Sequence, residues 1–382
     1  MTYPLSGIRV LDMSRVLAGP FAGRMLSDLG ADVVKLEPPE GDITRMWGPK
    51  IGGISGYFHQ QNAGKRNISM DLRSPLGVSL VKALIREADV LIENFRPDVM
   101  PRLGLDYDTL AGINPQLIML SISGFGINNP DSKRAAYAPV VHAETGLVNR
   151  QAKVSNAFPA DIGVSVADTN ASLHGLVGLL AALYARQASG LGDHIDLAMV
   201  DATVVTNDGM NFALAGVNHA VQNEVHETSG GLLILAGEFK FIWHQLSTIC
   251  QVVDGLDGST TVELEEKITA RRAAARHFFC ETCRTREEVI NALDRMNIAW
   301  GDVRPATQIR DLECVRARGT IVEVDDRQGG TRPTPQSPYR YRNLESRVQS
   351  GASHLGEHNA VILEEWLSLT ESEIAEYSDV LI

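Results

Sequence analysis

The chain has 382 residues, of which 47 are acidic and 35 basic, giving a formal net charge of -12. That length exceeds what one hydrophobic core usually holds, so two domains are expected. The negative sign disfavours a task of gripping nucleic acid, although a small polyanion remains possible, since a few local cations and backbone N–H groups suffice to hold one.

The longest mostly apolar stretch, Leu173 to Ala185, is broken by His174 and is shorter than the roughly 20 residues a bilayer requires, so no membrane partner is expected. Met1-Thr-Tyr-Pro lacks the basic start and apolar run of a signal peptide. Four cysteines do not make a disulfide framework, which makes a reducing cytoplasm the expected location.

Along the chain, strand and helix signals alternate. Ile8 to Met13 reads as a buried strand. Gly19 to Gly30 reads as a helix with Phe21, Met25, Leu26 and Leu29 on one face, and Val33 to Leu36 as a second strand. Pro75 opens a helix carrying Leu76, Leu80, Leu84 and Ile85, followed by strands at Val90 to Ile92 and Leu117 to Ile122. A long helix from Asp168 repeats Leu173, Leu176, Val177, Leu180 and Leu183, and His194 to Leu197 is one more strand. Repeated β-α-β units imply an α/β fold with a Rossmann-like parallel sheet, whose ligands sit at the carboxyl ends of the strands. Gly230 to Ala236 and Arg318 to Val324 read as strands of a smaller α+β domain, with Thr285 to Met296 its clearest helix. The expected division is a large discontinuous domain, 1–205 with 330–382, and a small one, 225–325.

Common signatures are missing. Gly124 to Asn129 lacks the third glycine of a dinucleotide loop, Gly64-Lys65-Arg66 fails the phosphate-loop pattern, and Cys280-Glu-Thr-Cys283 has no second pair to complete a metal site. Asp168 stands at the start of the long helix, where an aspartate reads first as a helix N-cap. The same position suits an ionised, oriented carboxylate for covalent catalysis, because the helix dipole and unpaired N–H groups favour the anion. Position alone does not choose between the two.

Several collinear segments carry a resemblance. Asp12-Met-Ser-Arg-Val-Leu-Ala-Gly-Pro20, Leu29-Gly-Ala-Asp-Val-Val-Lys-Leu-Glu-Pro38, Asn62-Ala-Gly-Lys-Arg66, Ala88-Asp-Val-Leu-Ile-Glu-Asn-Phe-Arg-Pro97, Arg102-Leu-Gly-Leu105, Ser123-Gly-Phe-Gly126 and His354-Leu-Gly-Glu-His358 together resemble the class III CoA-transferases, relatives of the α-methylacyl-CoA racemases. The resemblance implies an enzyme moving CoA from an acyl-CoA donor to a carboxylic acid acceptor through acyl-aspartyl and aspartyl-CoA intermediates, with Asp168 as the nucleophile. It places CoA or substrate contacts at Leu17, Ala18, Asn62, Lys65, Asn94, Phe95, Arg96, Arg102 and Tyr137. Lys65, Arg96 and Arg102 suit phosphates, and Phe95 and Tyr137 offer flat apolar surface. No metal or separate cofactor is implied, because the thioester itself carries the activation. Backbone N–H groups of Ser123 to Gly126 are candidates for stabilising an oxyanion. Family members are interlocked homodimers, so that architecture is expected too.

Leu17 and Ala138 replace a glutamine and a glutamate of the formyl-CoA branch, which points to an acid larger or less polar than oxalate. Two other readings stand beside transfer. A racemase would need a base near Tyr137, for which His142 is the candidate. A CoA-binding paralogue without activity would have no need of Asp168.

Overall fold

The computed structural model describes residues 2–217, 223–256 and 262–381. The chain forms two compact units, Met1–Met210 with Cys314–Ile382, and Asn211–Glu313.

The first unit runs β1 (Arg9–Asp12), α1 (Ala18–Asp28), β2 (Asp32–Glu37), α2 (Gly56–Asn62), β3 (Arg66–Ser69), α3 (Pro75–Glu87), β4 (Val90–Glu93), α4 (Tyr107–Ile113), β5 (Ile118–Ser123), α5 (Ala138–Glu144), α6 (Val166–Ser189), β6 (Asp193–Ala198) and α7 (Met199–Thr206). The six strands make one parallel sheet in the order β3-β2-β1-β4-β5-β6. This is the doubly wound order, in which the winding reverses between β1 and β4 and leaves a crevice beyond their carboxyl ends.

Alternation along the strands feeds two separate cores. Val10, Val33, Val90, Ile92, Ile118 and Leu120 face α1 and α6, while Leu11, Val34, Leu36, Leu91 and Met119 face α3. The start of α3 follows its sequence signal: Ser74 Oγ accepts from the Leu76 N–H and Pro75 occupies the first turn.

Helix α6 begins at Val166, earlier than expected, and its 24 residues are long and apolar enough to cross a membrane by length and composition, unlike the shorter apolar run read from the sequence. Here it lies on the sheet, with Ala171, Leu176, Leu179 and Leu183 buried. Gly175 permits the close approach, since a Cβ there would stand 2.9 Å from Leu120 Cδ2.

The second unit holds an antiparallel sheet of β7 (Glu224–Thr228), β8 (Gly231–Leu235) and β9 (Trp300–Asp302), with β8 central. Its helices are α8 (Phe239–Ile249), α9 (Leu264–His277) and α10 (Arg286–Arg295). Leu233, Leu235, Trp243, Leu246, Phe279 and Leu293 form its core. A capping box between Thr285 and Glu288 starts α10.

The strand expected at Arg318 to Val324 is β10 (Ile321–Asp325), paired antiparallel with β11 (Thr331–Pro335). Both strands belong to the first unit; the span from 330 was expected there, the strand at 318–324 in the small domain. The reason is a set of polar ties that strand propensity does not encode: Thr334 Oγ1 lies 2.8 Å from the buried His59 ring, and Arg24 donates to the Pro335 carbonyl at 3.1 Å. Helix α11 (Asn359–Leu367), followed by the short α12 (Glu371–Ala375), then covers the α3 side of the sheet with Ile362, Leu363 and Trp366.

Gly175→Val should destabilise the protein by about 1–3 kcal/mol, because the added side chain must displace Leu120 from a filled core. Urea unfolding followed by circular dichroism measures the loss.

Candidate active site

At the carboxyl end of β1 the buried Asp12 meets the ammonium of Lys65 at 2.7 Å, both side chains fully enclosed. Lys65 also donates to the Pro20 carbonyl at 2.8 Å and to Asn62 Oδ1 at 2.8 Å, which uses all three of its protons. Asn62 spends its amide on the Phe58 carbonyl at 3.1 Å. Both residues are expected from the sequence to touch CoA; the structure instead turns them inward as a brace beneath α1. The physical reason is that a dry ammonium must satisfy every donor within the protein.

Asp168 is not the cap of α6. Ser165 takes that position without a side-chain hydrogen bond, and Asp168 lies in the first turn. The backbone N–H groups of Ala138 and Ala18, the first residues of α5 and α1, act on its carboxylate together with its own N–H and favour the anion. Three helix N-termini therefore converge on one carboxylate, each contributing the positive end of its dipole. Burial nevertheless outweighs these contacts and the neighbouring His142, and pushes the Asp168 carboxyl up to about 6.

Asp168 lines a cavity of about 330 Å³ together with Val16, Ala18, Asn94, Phe95, Arg96 and Tyr137. Six of the ten residues expected at the site, Asp168 included, are thus gathered in one place. Leu17 is buried at the N-cap of α1, behind that wall. Arg102 ends a short helix, Val99–Arg102, its side chain 70% exposed and paired with Asp98 at 3.2 Å, outside the lining. Of the nitrogen donors expected from Ser123 to Gly126, the Gly126 N–H is committed to Ser123 Oγ at 2.9 Å.

His142, the candidate base of the racemase reading, lies inside the protein. It is fully buried, its Nε2 accepts from the Ala167 N–H at 3.2 Å, and its Nδ1 faces Asp161 at 2.8 Å. Both ring nitrogens are spoken for, and the imidazole serves as a brace for the start of α6.

Three further residues enter the site from the structure. Arg15 lines the Asp168 cavity, and neither it nor Arg96 forms an ion pair among the described residues, so both guanidiniums remain available to an anionic ligand. Arg15 lies inside the segment Asp12 to Pro20, so its place at the carboxyl end of β1 was readable. Tyr57 of α2 approaches from another element: burial, with the charges of Asp168 and Asp42, pushes its phenol up. No local signal announces Tyr57, because only tertiary packing brings α2 there. Glu93 closes β4 and lines a second cavity of about 370 Å³, which shares Phe95, Arg96 and Ser123 with the first. Burial pushes Glu93 up to about 7, against hydrogen bonds from Ser121 and the Phe95 N–H.

A carboxylate held among helix ends, in the crevice of a doubly wound sheet and beside uncommitted guanidiniums, is suited to covalent acyl chemistry on an anionic ligand. Comparison with known proteins agrees on the family: the profile of CoA-transferase family III matches residues 5–359, and the chain belongs to that family.

The chain is 35% identical to the succinate–glutarate CoA-transferase of Agrobacterium fabrum, covering 95% of both chains. It is 29% identical to the human succinyl-CoA:glutarate CoA-transferase, over 98% of this chain and 88% of the other. Among solved structures, a CAIB/BAIF family protein from Brucella suis superposes with a TM-score of 0.80 at 31% identity, covering 96% of this chain and 100% of that one. The protein is therefore a CoA-transferase with the fold of that family.

Lys65→Met should cost about 3–5 kcal/mol, because it leaves Asp12 charged and unpaired in the core. The double change Asp12→Leu/Lys65→Met should recover most of that loss. Chemical denaturation of the three proteins checks both statements.

Proposed function

We propose that this enzyme moves CoA between carboxylic acids by way of Asp168. The carboxylate attacks the thioester carbonyl of the donor, the carbon–sulfur bond breaks, and an acyl-aspartyl anhydride and CoA thiolate result. The thiolate attacks the aspartyl carbonyl of the anhydride, releases the donor acid and leaves an aspartyl-CoA thioester. The acceptor carboxylate then attacks that thioester and expels the thiolate. Attack of the thiolate on the acceptor's acyl carbon forms the new acyl-CoA and restores Asp168. The observation that carries this reading is the Asp168 carboxylate, gathered by the N–H groups of Ala18 and Ala138 at the wall of an open cavity. With its proton leaving near pH 6, the group is mostly ionised at neutral pH.

The acceptor is a dicarboxylic acid. Ile43, Ile122 and Met199 give the cavity apolar walls for a methylene chain, while Arg15 and Arg96 offer two cationic heads for a distal carboxylate and for CoA phosphates. The names of the relatives support this class, since they pair succinate with glutarate. A screen of acyl-CoA donors against mono- and dicarboxylates of two to six carbons, read by mass spectrometry, should find dicarboxylates of about four to six carbons preferred.

The working form is a cytoplasmic homodimer. Leu173, Val177, Leu180 and Tyr184 form an apolar stripe along α6, exposed at 43%, 65%, 36% and 79%, which a partner subunit would cover. Size-exclusion chromatography with light scattering should return twice the chain mass down to nanomolar concentration; a folded monomer would remove the dimer from the proposal.

Asp168→Asn should abolish turnover, since an amide cannot form the anhydride. Wild-type enzyme given acyl-CoA and then hydroxylamine should carry a hydroxamate on Asp168, detectable by peptide mass spectrometry. The same change has a signed effect on stability. Folding raises the Asp168 carboxyl from an ordinary 3.8 to about 6, so the protonated form is the one the fold prefers. That contribution is complete below about pH 3.8 and fades as the pH rises through 6. The melting temperature of Asp168→Asn relative to wild type should therefore climb between pH 4 and pH 8. Wild-type turnover should fall on the acid side with a midpoint near pH 6.

A further inference from the structure

The link between β1 and α1 is held in a shape that its residues resist. Val16 adopts φ +67°, in the left-handed region that a β-branched side chain rarely occupies. Such a conformation persists only where the surroundings over-determine it. Two side chains do so. The Arg15 N–H donates to Asn94 Oδ1 at 2.6 Å while Asn94 Nδ2 donates to the Arg15 carbonyl at 2.8 Å. One residue on, the Val16 N–H donates to Asp42 Oδ2 at 3.0 Å.

Asn94 is well placed to act as an anchor because its own backbone is fixed. It follows β4 directly, and the buried Glu93 before it accepts from the Phe95 N–H at 2.8 Å. The carboxamide of Asn94 grips both backbone polar groups of Arg15, committing its oxygen and one of its two N–H donors to the link. The strained link ends at Ala18, which lines the same cavity as Asp168 and whose N–H favours the Asp168 anion.

We propose that Asn94 is a positioning residue for the nucleophile: its carboxamide clamps the backbone of Arg15, holds Val16 in the left-handed region, and thereby presents the Ala18 N–H to Asp168. The role assigned to its side chain differs from the direct CoA contact that the family resemblance implies. It rests on the reading of Asp168 as the nucleophile. The other titratable groups that bear on Asp168 are His142 from α5 and Tyr57 from α2, with the guanidiniums of Arg15 and Arg96 lining the same cavity. Removing the Asn94 carboxamide changes the charge of none of them.

The test separates this inference from the reading beneath it. The Asp168 carboxyl is followed by carbon-13 NMR of protein labelled at the aspartate side-chain carboxyl, its signal assigned by its loss in Asp168→Asn. In Asn94→Ala the titration midpoint should move up by about 0.5–1, because the anion loses a donor. Turnover, with the donor and acceptor found by the screen, should fall on the order of 10–100-fold while the Michaelis constant for the thioester changes little. The double variant Asn94→Ala/Val16→Gly, in which the left-handed backbone no longer needs to be enforced, should return the midpoint toward the wild-type value. Asn94→Gln, which carries the same amide one methylene further out, makes the same test if the alanine variant does not fold. An unchanged midpoint, or a raised Michaelis constant with unchanged turnover, would overturn the clamp and restore Asn94 as a ligand contact. Full activity in Asp168→Asn would instead overturn the nucleophile, a result the NMR midpoint does not depend on.

Discussion

The Asp12–Lys65 pair is the contact on which the rest of the site depends. It joins the end of β1, the first turn of α1 and the start of β3 within one dry cluster. A buried pair of this kind gains little net stability, because several kcal/mol of desolvation per ion offset the attraction. What it supplies is registration. Lys65 can satisfy its three protons only if Pro20, Asn62 and Asp12 stand where they do, and that fixes the height at which α1 begins. Gly23 adds a geometric condition: a Cβ at that position would stand 2.7 Å from Asp12 Oδ2 and 3.2 Å from Lys65 Nζ. The ammonium and the helix backbone can share the space only with glycine between them.

From that brace the chemistry follows in short steps. Once α1 is set, the Ala18 N–H points at Asp168, and α5 brings Ala138 from another side. The opposed effects on Asp168 do not cancel. Desolvation wins, leaving a carboxylate that is more basic than usual but still ionised at neutral pH. For a group that must first attack a thioester and later leave from an anhydride, an intermediate basicity serves both directions of transfer. A carboxylate in open water would be the weaker nucleophile, and one buried without helix ends around it would stay protonated.

Much of this was legible in the sequence. Strand and helix periodicity located the six strands of the sheet with the exception of β3, whose Arg66-Asn-Ile-Ser69 has too few apolar residues to announce itself. The collinear motifs led to Asp168 and to the Phe95–Arg96 corner. The inward turn of Lys65 and Asn62 was not readable, because sequence assigns a charge but not a direction, and the direction depends on a partner 53 positions away. The N-cap reading of Asp168 erred by one turn because the helix starts at Val166 after a Ser165 whose hydroxyl makes no cap. The strand β10 was expected in the small domain because strand propensity says nothing about which surface a strand joins. Tyr57 and His142 owe their roles to packing between elements, where periodicity is silent.

The first unit is interrupted and the second is not, which matters for the order in which the chain matures. Residues 211–313 are continuous and carry their own core, so they can reach their final form while the C-terminal segment is still being synthesised. The doubly wound sheet must wait. Its α3 face is closed by Ile362, Leu363 and Trp366, Trp366 Nε1 donates to Asp32 Oδ2 at 2.9 Å, and Leu381 bridges back to Met70. Without α11 a strip of aliphatic surface, built on Leu80, Leu84 and Ile85 of α3, would face water, a patch of the kind that promotes association.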